Sequence, residues 1–395
     1  CVAAFGRVPR KETPMFGEED RRLNEETDAR TNQKTTPLPL TANDLGGIAG
    51  LRRRWADLPM IPRVVLDRAE GLDRSWPGFD LRTILVGEES AGRFTFHDLI
   101  LAPGAGLPAH HLTGSDTYWC VLDGEVELTV GTRTAVAGRD GFAFVPEDTT
   151  QAIQNRSSEP ARVFLWHSPA GPERAFAAAH RVFRQTPNAT KGAFLDALGA
   201  LGFSFHRGGE RLENDARTNA PASRLDATID TFDDFAGLRT QWARRAPVPK
   251  LVLDRTREGD IPMKGQDTKV LLSGDEGSGR CVVFHYGIEP GYRAPSHHQP
   301  SEEEIFLVLE GTLDLTVGNV TTQVPRGGFG FVPRYGTHSF GNPMKQGDAR
   351  TITINSPAGH ERGFEMLVRE GGSERLPELL VAHGWHVHDA YHPAD

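Results

Sequence analysis

The chain has 395 residues, 44 basic against 53 acidic, and a net charge of −9; at roughly 100–200 residues per domain, that length predicts two or three domains. Gly (43) and Pro (27) together make about 18% of the chain against an average of roughly 12%, while a hydrophobic content of 38% suffices for packed cores and excludes disorder throughout. No run approaches the roughly 18 apolar residues of a spanning helix, which predicts no membrane span, and the acidic balance argues against a nucleic-acid partner.

Residues 1–40 are charged and rich in Thr and Asn, and read as an extended arm. The start carries no apolar segment of the kind a secretory signal needs, and Cys1 in place of Met suggests an incomplete or processed start. Three cysteines, Cys1, Cys120 and Cys281, build no disulfide framework, so a cytoplasmic location is expected. Arg52-Arg53-Arg54 and Arg244-Arg245 are short basic runs, expected on solvated helix faces.

From residue 41 the chain repeats itself. Ile48-Ala49-Gly50-Leu51-Arg52 with Trp55 returns as Phe235-Ala236-Gly237-Leu238-Arg239 with Trp242, and Val65-Leu66-Asp67-Arg68 as Val252-Leu253-Asp254-Arg255. Leu128-Thr129-Val130-Gly131 returns as Leu315-Thr316-Val317-Gly318, and Phe144-Val145-Pro146 as Phe331-Val332-Pro333. The Ser168-Pro169-Ala170-Gly171 turn returns as Ser356-Pro357-Ala358-Gly359. Each copy predicts a short lead-in helix holding the Trp, then strands such as Val126–Val130 and Leu313–Val317. Turns every 8–12 residues, as in a sandwich or small barrel, separate the strands. A helix follows each Ser-Pro-Ala-Gly turn, over Glu173–Arg184 and Glu361–Glu370. The expected domains are 41–206 and 228–395, joined by a polar linker over 207–227, and packed as a rigid pair because that buries more surface than two lone domains.

In the second copy Gly291, His297, Gln299, Glu304 and Gly311 form G-x5-H-x-Q-x4-E-x6-G, and Gly327, Pro333, His338 and Asn342 form G-x5-P-x4-H-x3-N. This resembles the two motifs of the cupin superfamily, with two departures: Gln299 stands where a second His belongs, and the turn glycine is displaced to Gly336 behind Tyr335. The resemblance covers both repeats. It implies an all-β fold with accessory helices, two tandem jelly-roll (double-stranded β-helix) barrels about a pseudo-twofold axis, similar to bicupins of the quercetinase and gentisate dioxygenase types.

Residues at i and i+2 on a strand share a face, so His297 and Gln299 can both look into the barrel. Glu304, Phe306 and Val308 share a face on the next strand, and His338, Phe340 and Asn342 on a later one. Two imidazoles and a carboxylate form the ligand set of non-haem Fe(II), and also suit Mn, Ni, Co or Zn. One divalent ion is therefore expected, with Fe(II) favoured; the alternative is a lapsed site of which Gln299 is the first lesion. Gln299 is open as a fourth, weaker ligand or a partner of bound water. His298 is a rival ligand or catalytic group only if the backbone is irregular, since alternation turns it away. Tyr335 beside His338 is a candidate proton mover at the pocket mouth. Phe306 and Phe340 are expected as apolar lining, and His285 as core or surface.

The first copy keeps Gly104, His110 and Gly124, but Leu112, Thr117 and Gln151 replace the other ligand positions, so this degenerate site is expected to be metal-free. Its Thr117-Trp119-Val121 face is expected to fill or line an apolar cavity, either as a structural half or as a second organic pocket. The tail histidines His383, His386, His388 and His392 are expected in packing, since His388 has a counterpart in His206. The functional expectation is a metal-dependent oxygenase with a small phenolic or enolic substrate. The alternatives are a non-redox isomerase, decarboxylase or lyase, or a binding bicupin without turnover. A homodimer is expected from exposed barrel faces.

Overall fold

A computed structural model of the protein describes residues 31, 47–186, 190–206, 224–225, 227–230, 234–255, 259–371 and 386–387. Most of the expected arm and linker, and His383, His388 and His392, lie outside the described residues. Among those described, no helix is long and apolar enough to cross a membrane.

The two repeats fold as two antiparallel barrels, each a seven-stranded sheet facing a five-stranded one. In the first barrel the large sheet runs 250–252, 142–145, 116–123, 161–168, 95–101, 79–85, 72–73, and the small one 203–205, 106–112, 151–154, 126–130, 133–137. In the second, the large sheet runs 63–65, 329–332, 303–310, 349–356, 282–288, 266–272, 259–263, and the small one 320–325, 312–317, 338–341, 297–298, 386–387. The strand Val126–Val130 forms as expected, and Thr312–Val317 begins one residue earlier.

One pairing crosses the expected domain boundary in each direction. Arg63–Val65, from the first repeat, pairs with Phe329–Phe331 of the second barrel. Lys250–Val252 returns the exchange against Phe142–Phe144 of the first. The repeats are units of sequence, and each barrel is completed by a strand of the other.

The large sheets are buried on both faces, so their strands read as nearly continuous apolar runs. Along Glu303–Glu310, Phe306 and Val308 face the barrel interior while Ile305, Leu307 and Leu309 face the neighbouring barrel. Along Asp116–Asp123 the same alternation sends Trp119 and Val121 inward and Tyr118, Cys120 and Leu122 outward. The shared layer includes Trp166 stacked 5.4 Å from Phe96 and 5.1 Å from Tyr118, with Phe329 closing on Phe96 at 5.1 Å. Each such side chain buried contributes about 1.5–3 kcal/mol of transfer free energy, so the pair is one packed body. His285 lies on this outward face, buried, as expected of core, and burial pushes its pKa down to about 4.

Ion pairs at the seam are exchanged reciprocally, as a twofold requires. Arg93 reaches Glu303 at 3.2 Å while its counterpart Arg280 reaches Asp116; Arg139 meets Glu310 at 3.2 Å while Arg326 meets Asp123 at 2.6 Å.

The lead-in helices are Gly47–Trp55 and Phe235–Trp242. Their Trp rings lie flat on Gly87 and Gly274, where a Cβ would come within 2.7 and 2.5 Å of ring carbons; only glycine admits that approach. Arg52 departs from the expected solvated face. Its Nε donates to the Ala170 carbonyl at 2.7 Å and its Nη2 to Ser115 Oγ at 2.7 Å, tying the helix to the Ser-Pro-Ala-Gly turn. Beyond that turn run the helices Pro172–Gln185 and His360–Glu370.

Candidate metal centre

The site spans the mouth of the second barrel, between its two sheets. His297 and His338 stand opposite each other on neighbouring strands of the small sheet, with ring centroids 4.4 Å apart. Glu304 enters from the large sheet. One donor atom from each of the three lies within 4.8 Å of the others, and all three residues are buried.

Both imidazoles are oriented by backbone. His297 Nδ1 donates to the Pro295 carbonyl at 2.8 Å and His338 Nδ1 to the Gly336 carbonyl at 2.9 Å. A proton on each Nδ1 turns Nε2 toward the common point, the arrangement that fixes the tautomer of metal-ligating histidines. Burial and the neighbouring His338 push the His297 pKa down to about 3, so its Nε2 presents a lone pair at neutral pH. Burial opposes the charge on Glu304, but the hydrogen bond and charge of His338 outweigh it and hold the carboxyl at about 2.

His338 Nε2 lies 2.8 Å from Glu304 Oε2. With Nδ1 already donating, a neutral ring would set two acceptors against each other, so a proton or a cation has to lie between them. Gln299 Nε2 donates to the same Glu304 oxygen at 3.0 Å, while its Oε1 is buried without a hydrogen-bond partner. An unpartnered buried carbonyl is costly; the amide nitrogen is the atom that faces the cluster, 3.5 Å from His297 Nε2, so Oε1 becomes a donor there only with the amide turned over. The residues fit a divalent ion: His297, Glu304 and His338 would hold it, with Gln299, its amide turned, as a further oxygen.

The other expected residues are distributed differently. His298, on the opposite face of its strand, stacks on His386 at 4.3 Å and does not join the cluster; alternation is regular there. Tyr335 does not reach the pocket wall; its side chain is 53% exposed, 6.2 Å from the His298 ring. It occupies the motif's glycine position with φ +60°, and its backbone N–H donates to the Gln299 carbonyl at 3.0 Å, so the turn locates Gln299. Phe340 lines the pocket, whereas Phe306 packs behind it at 5.2 Å and edge-on to His338. Asn342 is a staple, its Nδ2 donating to the carbonyls of Ile288 and Gly347 at 2.8 and 2.9 Å. Asn155 does the same in the first barrel.

Beside the cluster opens a pocket of about 400 Å³, part of it solvent, with His297, Glu304 and Phe340 on its wall. Met263, Gln266, Tyr286, Tyr292, His360 and Phe364 also line it, and no motif spacing singled these out. His360 was legible only as a place where the copies differ, Ser-Pro-Ala-Gly-His against Ser-Pro-Ala-Gly-Pro.

In the first barrel His110 keeps its Nδ1 bond to the Pro108 carbonyl at 2.8 Å, but Phe203 and Phe205 flank the ring at 5.4 Å. Trp119 Nε1 donates to Gln151 Oε1 at 3.1 Å, and Gln151 Nε2 donates to Thr117 Oγ1 at 2.9 Å. Two of the replaced ligand positions, Thr117 and Gln151, are thus tied into a hydrogen-bond chain with Trp119, and the indole fills the interior, as the Thr117-Trp119-Val121 face predicted.

The cupin domain family model matches residues 97–167 and 284–355, one stretch in each barrel. A curated relative, Tetracenomycin polyketide synthase protein TcmJ of Streptomyces glaucescens, is 33% identical over 72 residues, 18% of this chain and 48% of that one. The matched stretch thus spans about half that relative's length. Among solved structures, oxalate decarboxylase of Bacillus subtilis superposes with TM-score 0.48 at 15% identity, covering 83% of this chain and 86% of that one. Protein Ylba of E. coli gives 0.48 at 12% identity, over 74% and 89%.

Proposed function

This chain is a bicupin, two cupin domains in tandem, and from that premise we propose that its second barrel is a metal-dependent enzyme centre, an oxygenase acting on a small phenolic or enolic molecule. The convergence of His297, Glu304 and His338 within 4.8 Å, with both rings fixed through Nδ1, carries the reading. Two nitrogens and a carboxylate suit Fe(II) and leave positions for other ligands. The bound ion would supply a positive charge for an anionic oxygen and a centre for oxygen chemistry.

The chain's own residues do the rest. Phe340, Phe364 and Tyr292 give the pocket flat apolar surface for a ring. Gln266 and Tyr286 put polar groups among them, the mix of apolar wall and few polar anchors usual in small-molecule sites. The backbone bonds at Nδ1 hold the ligand rings without reorganisation.

A non-redox reading, isomerisation, decarboxylation or elimination, is favoured by one observation of its own: a buried histidine–carboxylate pair, His360 with Glu302, whose histidine lies on the pocket wall. The test is elemental analysis of protein purified without chelator, followed by oxygen uptake with catechols, flavonols and β-diketones. The oxygenase reading expects one metal per chain, lost in His297→Ala, and oxygen uptake with at least one substrate class. Metal with substrate turnover but no oxygen uptake would move the assignment to the non-redox reading. Wild-type protein without stoichiometric metal would leave a binding bicupin.

A further inference from the structure

The second barrel holds a buried pair that the first lacks. His360 opens the helix His360–Glu370, and its Nδ1 lies 3.0 Å from Glu302 Oε2. The other carboxylate oxygen of Glu302 takes the guanidinium of Arg239, whose Nε donates to the Ala358 carbonyl at 2.6 Å. Both His360 and Glu302 are 3% exposed. At the corresponding positions the first barrel has Pro172, Ser115 and Arg52, and there Arg52 makes the same backbone bond with only a serine hydroxyl beside it. The tie between lead-in helix and turn therefore needs neither histidine nor glutamate. A buried carboxylate is costly unless paired, yet it occurs in the barrel that kept its metal ligands, with its histidine on the pocket wall beside His297 and Glu304.

Building on the phenol-or-enol reading, we propose that His360, oriented by Glu302 and Arg239, is the proton acceptor for a substrate hydroxyl in this pocket. A carboxylate only accepts, so Nδ1 carries the hydrogen toward Glu302, and Nε2 is the nitrogen through which the ring can meet a substrate. The substrate O–H bond breaks, an N–H bond forms at Nε2, and the electron pair stays on oxygen. The imidazolium is compensated by Glu302, and the anionic oxygen is left beside the His297–Glu304–His338 cluster.

The test counts protons. Full-length protein loaded with Zn(II), which is redox-silent, is titrated with catechol at pH 7 by calorimetry in two buffers of different ionisation enthalpy. The wild type is expected to release one proton fewer per bound catechol than His360→Gln. Glu302→Ser, which copies the first barrel, keeps the imidazole without its orienting carboxylate. It is expected to bind catechol about tenfold more weakly and to shift the count toward that of His360→Gln. Equal proton counts in all three proteins would overturn the role of His360 alone. Failure of the Zn(II)-loaded wild type to bind catechol would instead overturn the phenol-or-enol reading, and this inference with it.

Discussion

The two barrels share a backbone and differ in what fills them. His110 and His297 hold the same bond to a proline carbonyl two residues back, 2.8 Å in each. The cradle that orients a ligand histidine has thus survived in a barrel that holds no ligand set. Around it, Trp119 takes the place of Phe306, Gln151 that of His338, and Thr117 that of Glu304, and the three bond to one another. In the second barrel the corresponding groups leave a 2.8 Å acceptor contact at Glu304 and an orphaned Gln299 oxygen. At the first site Trp119, Gln151 and Thr117 pair with one another, whereas the second leaves a gap that a proton or a cation has to fill. Polar satisfaction, rather than fold, separates scaffold from site.

The largest test of this contrast removes a ligand from one barrel and its counterpart from the other. His338→Ala should lower metal affinity by more than the roughly 100-fold upper range of outer-shell losses, while Gln151→Ala leaves metal content unchanged by elemental analysis. Equal losses would place the metal elsewhere. Next, the first barrel can be refilled: Thr117→Glu, Gln151→His and Trp119→Phe together restore a carboxylate, a second imidazole and the smaller ring beside His110. Metal content should rise by one per chain, and no rise would mean that the flanking Phe203 and Phe205, not ligand loss, closed that site.

Acid separates the barrels more modestly. Burial lowers His97 to about 3 and His110 to about 4, and drives His167 well below its usual value. These groups are neutral when folded and titrate near 6.5 when unfolded, so the unfolded chain binds more protons below about pH 6.5. Their stability contribution is complete above that pH and falls toward pH 4, by about 1–2 kcal/mol per group at pH 5. Phe284 and Asn355 replace His97 and His167 in the second barrel, which among the described residues has two such lowered histidines, His285 and His297, against three in the first. Hydrogen exchange at pH 5 against pH 7 should therefore loosen the first barrel more, and His97→Phe should flatten the dependence. An unchanged slope in that variant would refute the assignment.

The smallest effect concerns the turn before His338. Tyr335 and its counterpart Asp148 both hold φ +60°, which costs a side-chain-bearing residue about 1–2 kcal/mol. Tyr335→Gly should raise stability by about 1 kcal/mol in denaturant titration without loss of metal. Loss of metal would show that the tyrosine ring, not the turn backbone, positions Gln299.

Much of this was legible in the sequence. The recurring segments predicted two copies of one barrel, because strands buried on both faces and turns at fixed spacing leave periodic apolar and Gly/Pro marks. The convergence of His297, Glu304 and His338 was legible because strand alternation and the cupin-like spacing place them inward wherever the barrel closes. Alternation likewise turned His298 away, as observed. The exchanged strands Arg63–Val65 and Lys250–Val252 were not legible, since a three-residue apolar segment does not encode which edge it completes. Neither was the inward role of Arg52, read as part of a solvated basic run, nor that of its counterpart Arg239. The rest of the pocket wall, beyond His297, Glu304 and Phe340, was missed because its residues come from separate strands and a helix and share no spacing.

The sequence by itself thus determined the architecture and the inward-facing candidate donors, both governed by short-range periodicity. Tertiary structure alone decided which donors are left unsatisfied, and that His360 meets Glu302, 58 residues away in the chain. Burial and hydrogen-bond satisfaction are properties of surroundings, and surroundings exist only once the sheets have closed.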